Sequence, residues 1–293
     1  MEIIQFIQSF ASPFFDGFFQ LATMLGEETF YVVVLALVYW CVDKRFGYRL
    51  SFAFLFSSMV NGVIKGLVNA PRPIGVKGIR SLRVETATGS SFPSGHTQSI
   101  ASFMVSVMRQ LRKWWIYAAG SVLVLLVGVS RLYLGVHWPV DVLGGIVFGI
   151  VSVLLADLAL AYVERKNLRW LPMLLLIPTL AAVLVWSDYG DLVKTAGTFG
   201  GFLVGYWAES TFIRFETKAP VWKRVVKFAV GMAIVMAIKE GLKLVLPHAP
   251  IYDFLRYFVM GLWITVGAPL LFSALRLQGS LQKAEKEPAA ISR

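Results

Sequence analysis

Residues 90–99 read SSFPSGHTQS and open a long apolar segment. A helix that begins there leaves its first backbone N–H groups unpaired and carries a partial positive charge. Gly95 lets an anion approach the backbone closely, Ser94 can cap the helix or donate its hydroxyl, and His96 is placed to exchange a proton. These features are typical of a phosphate cradle. Taken alone, however, PSGH is better explained as an ordinary helix cap.

A second stretch, SRLYLGVHWPVD at 130–141, contains another histidine. His137 and Asp141 are four residues apart at a predicted helix start, which places them on one helix face. The carboxylate can then accept the Nδ1–H of the imidazole, and this leaves Nε2 unprotonated as a nucleophile. Arg131 stands at the end of the preceding helix and can reach the same space. A simple helix-start ion pair is the alternative, and it is favoured for this stretch in isolation.

The third stretch, KGLVNAPRP at 65–73, supplies two cations. Lys65 is expected about one turn before the end of a helix, and Pro71 and Pro73 break that helix and stiffen the loop that carries Arg72. An ammonium near a membrane boundary can extend to the surface, and a guanidinium can bind phosphate with two parallel hydrogen bonds. Two ordinary interfacial cations explain the stretch equally well.

The combination is more informative than any single stretch. The chain has only three histidines, and two of them lie in these stretches. Three cations, a helix amino terminus, a proton donor and a histidine nucleophile are the groups that phosphoryl transfer needs. The sequence therefore predicts that all three stretches meet at one site.

The elements that position these residues are predicted to be membrane helices. Hydrophobic residues make up 57% of the 293 residues and charged residues only 15%, whereas soluble domains have roughly 45–50% and about 25%. Stretches of about 20 mostly apolar residues are long enough to cross a bilayer. The fold class predicted is an all-α polytopic membrane protein, with spans at 28–43, 48–70, 96–109, 114–135, 140–163, 170–187, 193–212, 222–247 and 254–275.

The net charge of +11 is explained by topology rather than by binding to nucleic acid. If the first span ends in the cytoplasm, 18 of the 28 Lys and Arg residues fall in inner segments, as the positive-inside bias requires. The amino terminus and the candidate site are then extracytoplasmic, and the carboxyl terminus is cytoplasmic. The stretch AIKEGLK at 237–243 places further charges near the outer end of the eighth span. A Glu240–Lys243 ion pair is the favoured explanation, and contact with a second lipid headgroup or an association surface are the alternatives.

Together, K-x6-RP at 65–73, PSGH at 93–96 and SR-x5-H-x3-D at 130–141 resemble the three signature motifs of the type 2 phosphatidic acid phosphatase superfamily. All three match without departure and in the expected order. The resemblance implies that the chain is an integral membrane lipid phosphate phosphatase. It says nothing about the four spans after residue 163. The domains expected are an interfacial amphipathic segment at 1–27 with one helix over 2–24, a phosphatase core at 28–163, additional transmembrane helices at 164–276 and a polar cytoplasmic tail at 277–293.

The resemblance and the local chemistry imply the same roles. His137 attacks phosphorus and forms a phosphohistidine, Asp141 orients it, and His96 donates a proton to the leaving group. The phosphate oxygens are bound by Lys65, Arg72, Ser94, Gly95 and Arg131. No metal or other cofactor is expected, and the predicted substrate is a lipid phosphate or pyrophosphate of the undecaprenyl pyrophosphate, phosphatidic acid or phosphatidylglycerol phosphate type in a bacterial inner membrane. A lipid phosphotransferase and a non-catalytic lipid or anion transporter are the alternatives.

Overall fold

Helices build the part of the chain that the computed structural model describes, residues 1–278, and no strand occurs within it. The predicted polar tail therefore lies almost wholly outside the described residues. The helices, in chain order, are α1 (Glu2–Gln8), α2 (Pro13–Met24), α3 (Glu28–Val42), α4 (Lys44–Val68), α5 (Gly95–Leu111), α6 (Trp114–Tyr133), α7 (Pro139–Lys166), α8 (Leu171–Val185), α9 (Gly190–Ala208), α10 (Val221–Met236) and α11 (Pro250–Ala274). Both α9 and α10 continue through a wider π-helical turn, Glu209–Ile213 and Ala237–Gly241.

Each predicted span lies on one of the helices α3 to α11, and the all-helical multi-pass class is confirmed. Four of the described helices, α4, α6, α7 and α11, are long and apolar enough to cross a membrane. The pair α2 and α3, bent by 48°, would make a fifth span if it is counted as one. Nine crossings therefore stay a prediction.

The bounds of α4 differ from those expected because its caps are local and strong. The helix begins at Lys44, since the Asp43 carboxylate accepts the Phe46 N–H at 2.6 Å. It ends at Val68, where Asn69 adopts a left-handed conformation with φ of 44°. The helix thus stops before the prolines rather than being broken by them.

The single amphipathic helix expected over residues 2–24 is wrong. Two helices occupy this segment, and the chain turns between them because Pro13 lacks the N–H that a continuous helix would need. The Ser12 hydroxyl accepts the Phe15 N–H at 3.3 Å and caps the second helix. Within α1 only Ile4 is buried, against Leu132 of α6 and Val142 of α7. An interfacial location for this segment stays a prediction.

Two groups of helices share one apolar interior. Helices α4 to α7 pack against one another, and α9 packs along α11 and against α4. The same buried cluster includes Phe54 and Phe103 from the first group and Phe199 and Phe272 from the second. The helices after residue 166 are therefore integrated with the preceding ones.

Small residues bring α9 and α11 close together. A methyl group added at Gly201 would collide with the carbonyl oxygen of Phe258, and one at Gly261 would meet the Thr198 carbonyl oxygen at 2.5 Å. Glycine at these positions lets the two backbones touch, as small residues do at many membrane helix interfaces.

Gly201→Ala should lower the free energy of unfolding by about 1–3 kcal/mol, because the added methyl group forces the two helices apart. Gly17→Ala is the matched control: nothing lies within 4 Å of a methyl group there, and alanine favours a helix over glycine. Thermal unfolding of both purified variants in detergent checks the result. Equal melting temperatures for the two variants would contradict the close approach.

The ends of the bundle differ in charge. At one end, Arg49 pairs with Asp157 at 3.2 Å and Lys44 pairs with the fully buried Glu209 at 3.0 Å. Most of the basic residues assigned to inner segments belong to helix ends on this side. The stretches with the candidate chemistry lie at the opposite end.

Candidate active site

Four helix ends and a long loop meet at the site. Helices α4 and α6 end there, and α5 and α7 begin there. The Ser94 N–H donates to the Asp141 carbonyl oxygen, and the Ser91 N–H donates to the Ala70 carbonyl oxygen, both at 2.9 Å. These bonds join the loop after α4 to the start of α5 and the start of α5 to the start of α7. The structure therefore brings the three sequence stretches together.

His137 presents an unprotonated Nε2 atom. It lies in the turn between α6 and α7, where Gly135 adopts a φ of 64°. Nη1 of Arg72 lies 3.0 Å from Nε2 of His137. Because a guanidinium has only donors, Nε2 must be the acceptor, and the ring proton is therefore on Nδ1.

The surroundings of His137 keep its ring neutral. Burial, together with the charges of Arg131, Arg72 and Lys65, holds the pKa of His137 well below its usual range. The imidazole therefore carries no proton on Nε2 at neutral pH and stays in this form when the pH falls moderately. A nucleophilic imidazole requires this form.

Asp141 orients His137 less directly than the sequence predicted. Its Oδ2 atom is 3.4 Å from Nδ1 of His137, which is a long separation. The same oxygen accepts the Trp138 N–H at 2.7 Å and the hydroxyl of Ser91. The carboxylate is first a helix cap, because its place in the first turn of α7 aims it at the backbone. Ser91, which also lies 3.5 Å from Nδ1, completes this cluster and was missed, although it belongs to the SSFPSGH stretch.

Arg72 is fixed by the loop that surrounds it. Its guanidinium donates to the carbonyl oxygens of Val136 at 2.9 Å, Gly89 at 3.0 Å and Thr88 at 2.7 Å. These bonds hold a positive charge directly against Nε2 of His137. The prolines beside Arg72 and the carbonyl groups of residues 88–90 therefore act together to place it.

Lys65 and Gly95 face each other across the gap between α4 and α5. A methyl group at Gly95 would lie 3.7 Å from Nζ of Lys65 and 3.6 Å from Oδ1 of Asn61. Asn61 itself donates to the side chain of Gln98 at 2.8 Å. Because the first N–H groups of α5 have no partner within the helix, they and the ammonium line the same space. Asn61 was not singled out from the sequence, because one amide in an apolar helix carries no distinctive pattern.

His96 and Arg131 have buried polar atoms without protein partners. Nε2 of His96 makes no hydrogen bond within the described chain, and neither do Nε and Nη2 of Arg131. Arg131 is fully buried, and its Nη1 donates to Thr23 at 2.7 Å. Buried donors are nearly always satisfied in folded proteins, so these atoms are suited to receive an anion.

Ser94 serves as a helix cap in this structure. Its hydroxyl accepts the Thr97 N–H at 3.5 Å and the Thr97 hydroxyl at 3.0 Å, and the residue is fully buried. It does not line the cavity described next. The capping interpretation of this one residue therefore fits its position better than a direct contact with phosphate.

A cavity of about 1170 Å³ adjoins these groups. Lys65, Arg72, Gly95, His96 and His137 line it, whereas Ser94, Arg131 and Asp141 do not.

Charged residues of the later part of the chain also line the cavity, and Asp191 and Lys239 among them were missed as parts of the site. Asp191 accepts a hydrogen bond from Thr88, and Lys239 lies 3.5 Å from Glu28 of α3. The Glu240–Lys243 pair considered from the sequence is not formed among the described residues. Lys239 of the same stretch reaches across to α3. Only the fold reveals these contacts, because they join residues far apart in the chain.

Two family models match the chain. The model described as PAP2 superfamily matches residues 46–166, and the model described as PAP2 superfamily phosphatase, transmembrane extension, matches residues 193–280. The first range contains all three sequence stretches, and the second contains α9 to α11.

Curated relatives are named as lipid phosphatases. A probable sphingosine-1-phosphate phosphatase of Dictyostelium discoideum is 29% identical over 240 residues, which are 71% of this chain and 57% of the relative. A putative undecaprenyl-diphosphatase of Escherichia coli (strain K12) is 32% identical over 146 residues, which are 47% of this chain and 71% of the relative. The chain thus spans less than two thirds of the Dictyostelium protein.

Among solved structures, LpxE of Aquifex aeolicus aligns with a TM-score of 0.47 and 25% identity. The alignment covers 53% of this chain and 92% of that one.

Proposed function

This chain belongs to the PAP2 superfamily, and on that premise we propose that it hydrolyses a lipid phosphate or pyrophosphate through a phosphohistidine at His137. The observation that carries the proposal is the state of His137: its Nε2 lone pair is free of a proton and lies beside a fixed guanidinium at the edge of a cavity. The metal-free mechanism and the roles below are parts of the same proposal.

In the first step, the phosphate enters between His137 and the cations. Its oxygens take over the hydrogen bond of Arg72, which frees Nε2 of His137 to attack phosphorus. The new N–P bond forms as the bond from phosphorus to the leaving oxygen breaks. The negative charge of the bound phosphate favours the protonated form of His96, which then gives its proton to that oxygen, so that an alcohol or a phosphate monoester leaves.

In the second step, water attacks phosphorus and the N–P bond breaks. His96, now neutral, takes a proton from the water, inorganic phosphate leaves, and both histidines return to their starting states. Asp141 stabilises the imidazolium that exists between the two steps, aided by Ser91 at the same oxygen.

Cations compensate the charge of the transferred group. Lys65 and Arg72 line the cavity, and Arg131 contributes donors that have no partner among the described residues. Fixed positive groups around a phosphoryl group act where charge develops in the transition state. Gly95 contributes open space at the start of α5 rather than a side chain.

The site is proposed to face the extracytoplasmic side. The opposite end of the bundle carries the basic inner segments, and the positive-inside bias assigns such an end to the cytoplasm. A lipid headgroup at the outer surface can reach Lys65 and His137 while its tail stays below the surface.

A substrate panel tests the activity. The purified chain is incubated with undecaprenyl pyrophosphate, phosphatidic acid, phosphatidylglycerol phosphate and a sphingoid phosphate, and inorganic phosphate is measured. Release from at least one lipid supports the proposal. Binding of these lipids without any release would favour the transporter alternative, and transfer to an added acceptor lipid without release would favour the phosphotransferase.

Excess chelator should leave kcat/KM unchanged, because the proposed cations take the place that a divalent metal has in other phosphoryl-transfer sites. Within residues 1–278 no three His, Cys, Asp or Glu side chains form a group that could hold a metal ion. Phosphate release with EDTA, without EDTA and with added magnesium makes the comparison. A loss of activity in EDTA that magnesium restores would contradict the metal-free mechanism.

A further inference from the structure

The cavity beside His137 extends far below the phosphate site. One wall is built by α3 and α4 and the other by α9 and α11. Along α4 its lining residues run from Lys65 to Ser51, 14 positions apart. At a helical rise of 1.5 Å per residue this is a depth of about 21 Å.

The chemistry of the lining changes with depth. The charged groups line the mouth, at Lys65, Arg72 and Asp191. Lower down the lining is mainly apolar, with Leu35 and Phe54 on one side. On the other side it is completed by Phe202, Met260 and Ile264.

Depth and polarity together match one kind of occupant. A lipid tail spans about half of the ~30 Å hydrocarbon core of a bilayer, or about 15 Å. The cavity is longer than this, and its volume of about 1170 Å³ exceeds the ~300–1,000 Å³ of ordinary small-molecule pockets.

We propose that α9 and α11 complete a chamber that holds the aliphatic tail of the lipid phosphate, and that Phe202 and Ile264 at its deep end set the longest tail accepted. This inference rests on the proposed function, because the phosphate end of the same molecule would occupy the site at His137. It assigns to the helices of the transmembrane extension a part in substrate selection.

For a lipid that comes from the bilayer, the chamber selects tail length by steric exclusion. Lipid tails are as apolar as the chamber wall, so moving a tail from bilayer to chamber yields little free energy. A tail that meets the deep end, in contrast, cannot place its phosphate against His137. Short alkyl phosphates come from water instead. For them, each methylene that is buried in the chamber raises kcat/KM about fourfold.

Thr198 offers a position at which the chamber can be shortened. It lines the cavity one turn before Phe202 on α9, and its hydroxyl bonds only to the Lys194 carbonyl oxygen of its own helix, at 3.1 Å. Thr198→Phe therefore adds a ring to the cavity without removing a side-chain hydrogen bond between helices. Ser58→Phe does the same from α4, since the Ser58 hydroxyl bonds to Phe54 of that helix.

The experiment measures hydrolysis of alkyl phosphates of graded length by the full chain. In Thr198→Phe, kcat/KM should stop rising at a shorter tail length than in the unaltered chain. If the added ring excludes two methylenes, the kcat/KM for dodecyl phosphate divided by that for hexyl phosphate falls by about 16-fold. Val147→Phe is the control, because Val147 is 54% exposed on the outer face of α7. It should keep the ratio of the unaltered chain, and Ser58→Phe should repeat the shift from the other wall.

A second measurement needs no turnover. Non-hydrolysable alkylphosphonates of the same lengths should raise the melting temperature, and the rise should end at a shorter tail in Thr198→Phe than in Val147→Phe. Length profiles that both phenylalanine variants of the chamber leave unchanged would overturn the inference. No phosphate release combined with shifted phosphonate profiles would overturn the proposed hydrolysis and leave the chamber in place.

Discussion

His137→Gln is expected to lower turnover by about 10⁴-fold or more, because the variant lacks the proposed nucleophile that forms the covalent intermediate. Glutamine retains a polar side chain toward Ser91 and Asp141, so the loss reflects the missing nucleophile rather than a collapsed site. Phosphate release from the best lipid of the panel measures the effect. Trapping of labelled phosphate on the unaltered chain but not on the variant identifies the intermediate.

His248→Gln is the matched control. His248 is the third histidine of the chain, is exposed and does not line the cavity. Its replacement should leave turnover unchanged. Substantial phosphatase activity in His137→Gln would end the assignment of His137 as the nucleophile.

His96→Gln should reduce turnover of an alkyl phosphate by about 10²–10⁴-fold, the usual contribution of a general acid. The effect should depend on the leaving group. With p-nitrophenyl phosphate, whose leaving group departs as a stable anion, the first step needs no proton and remains fast. The second step still lacks its base, so the phosphoenzyme accumulates.

A rapid burst of about one nitrophenolate per chain, followed by slow turnover, is therefore the expected result for His96→Gln. Stopped-flow absorbance measures it, and the unaltered chain should show no such arrest after the first turnover. Equal losses with the alkyl and nitrophenyl substrates and no burst would contradict the proposed acid–base role. Nε2 of His96, which has no hydrogen-bond partner among residues 1–278, is available to serve in both steps.

Replacement of Arg72 would have a wider effect than the loss of one charge. The same guanidinium contacts Nε2 of His137 and the carbonyl groups of Thr88, Gly89, Ser90 and Val136, so it both stabilises the loop and positions the proposed nucleophile. Lysine cannot make these fork-shaped contacts.

Most helix positions could be predicted because their signals are local. Long apolar runs define α3 to α11, and Asp43 and Ser94 are ordinary caps at the starts of α4 and α5. The prediction failed over residues 2–24, where the apolar periodicity was extended across Ser12 and Pro13, residues that begin a new helix.

The candidate site could be predicted in part. The three stretches name the side chains that meet, because their residue types and order are specific as a set. Three features were not predictable from the sequence: the hydrogen bond between Ser91 and Asp141, the contact of Arg72 with His137, and the position of Ser94 away from the cavity lining. Each depends on how a loop folds over helix ends, and spacing along one helix carries no information on this.

By itself, the sequence determined that this is a helical membrane protein whose three motifs resemble those of the PAP2 superfamily, since composition, apolar runs and motif order are properties of the chain alone. Only the tertiary structure decided that α9 and α11 enclose a deep cavity beside His137 and that Lys239 reaches Glu28. The physical reason is packing. Cavities and contacts between distant helices arise from close-fitting surfaces, such as the approach at Gly201, and no local pattern reports which helices will touch.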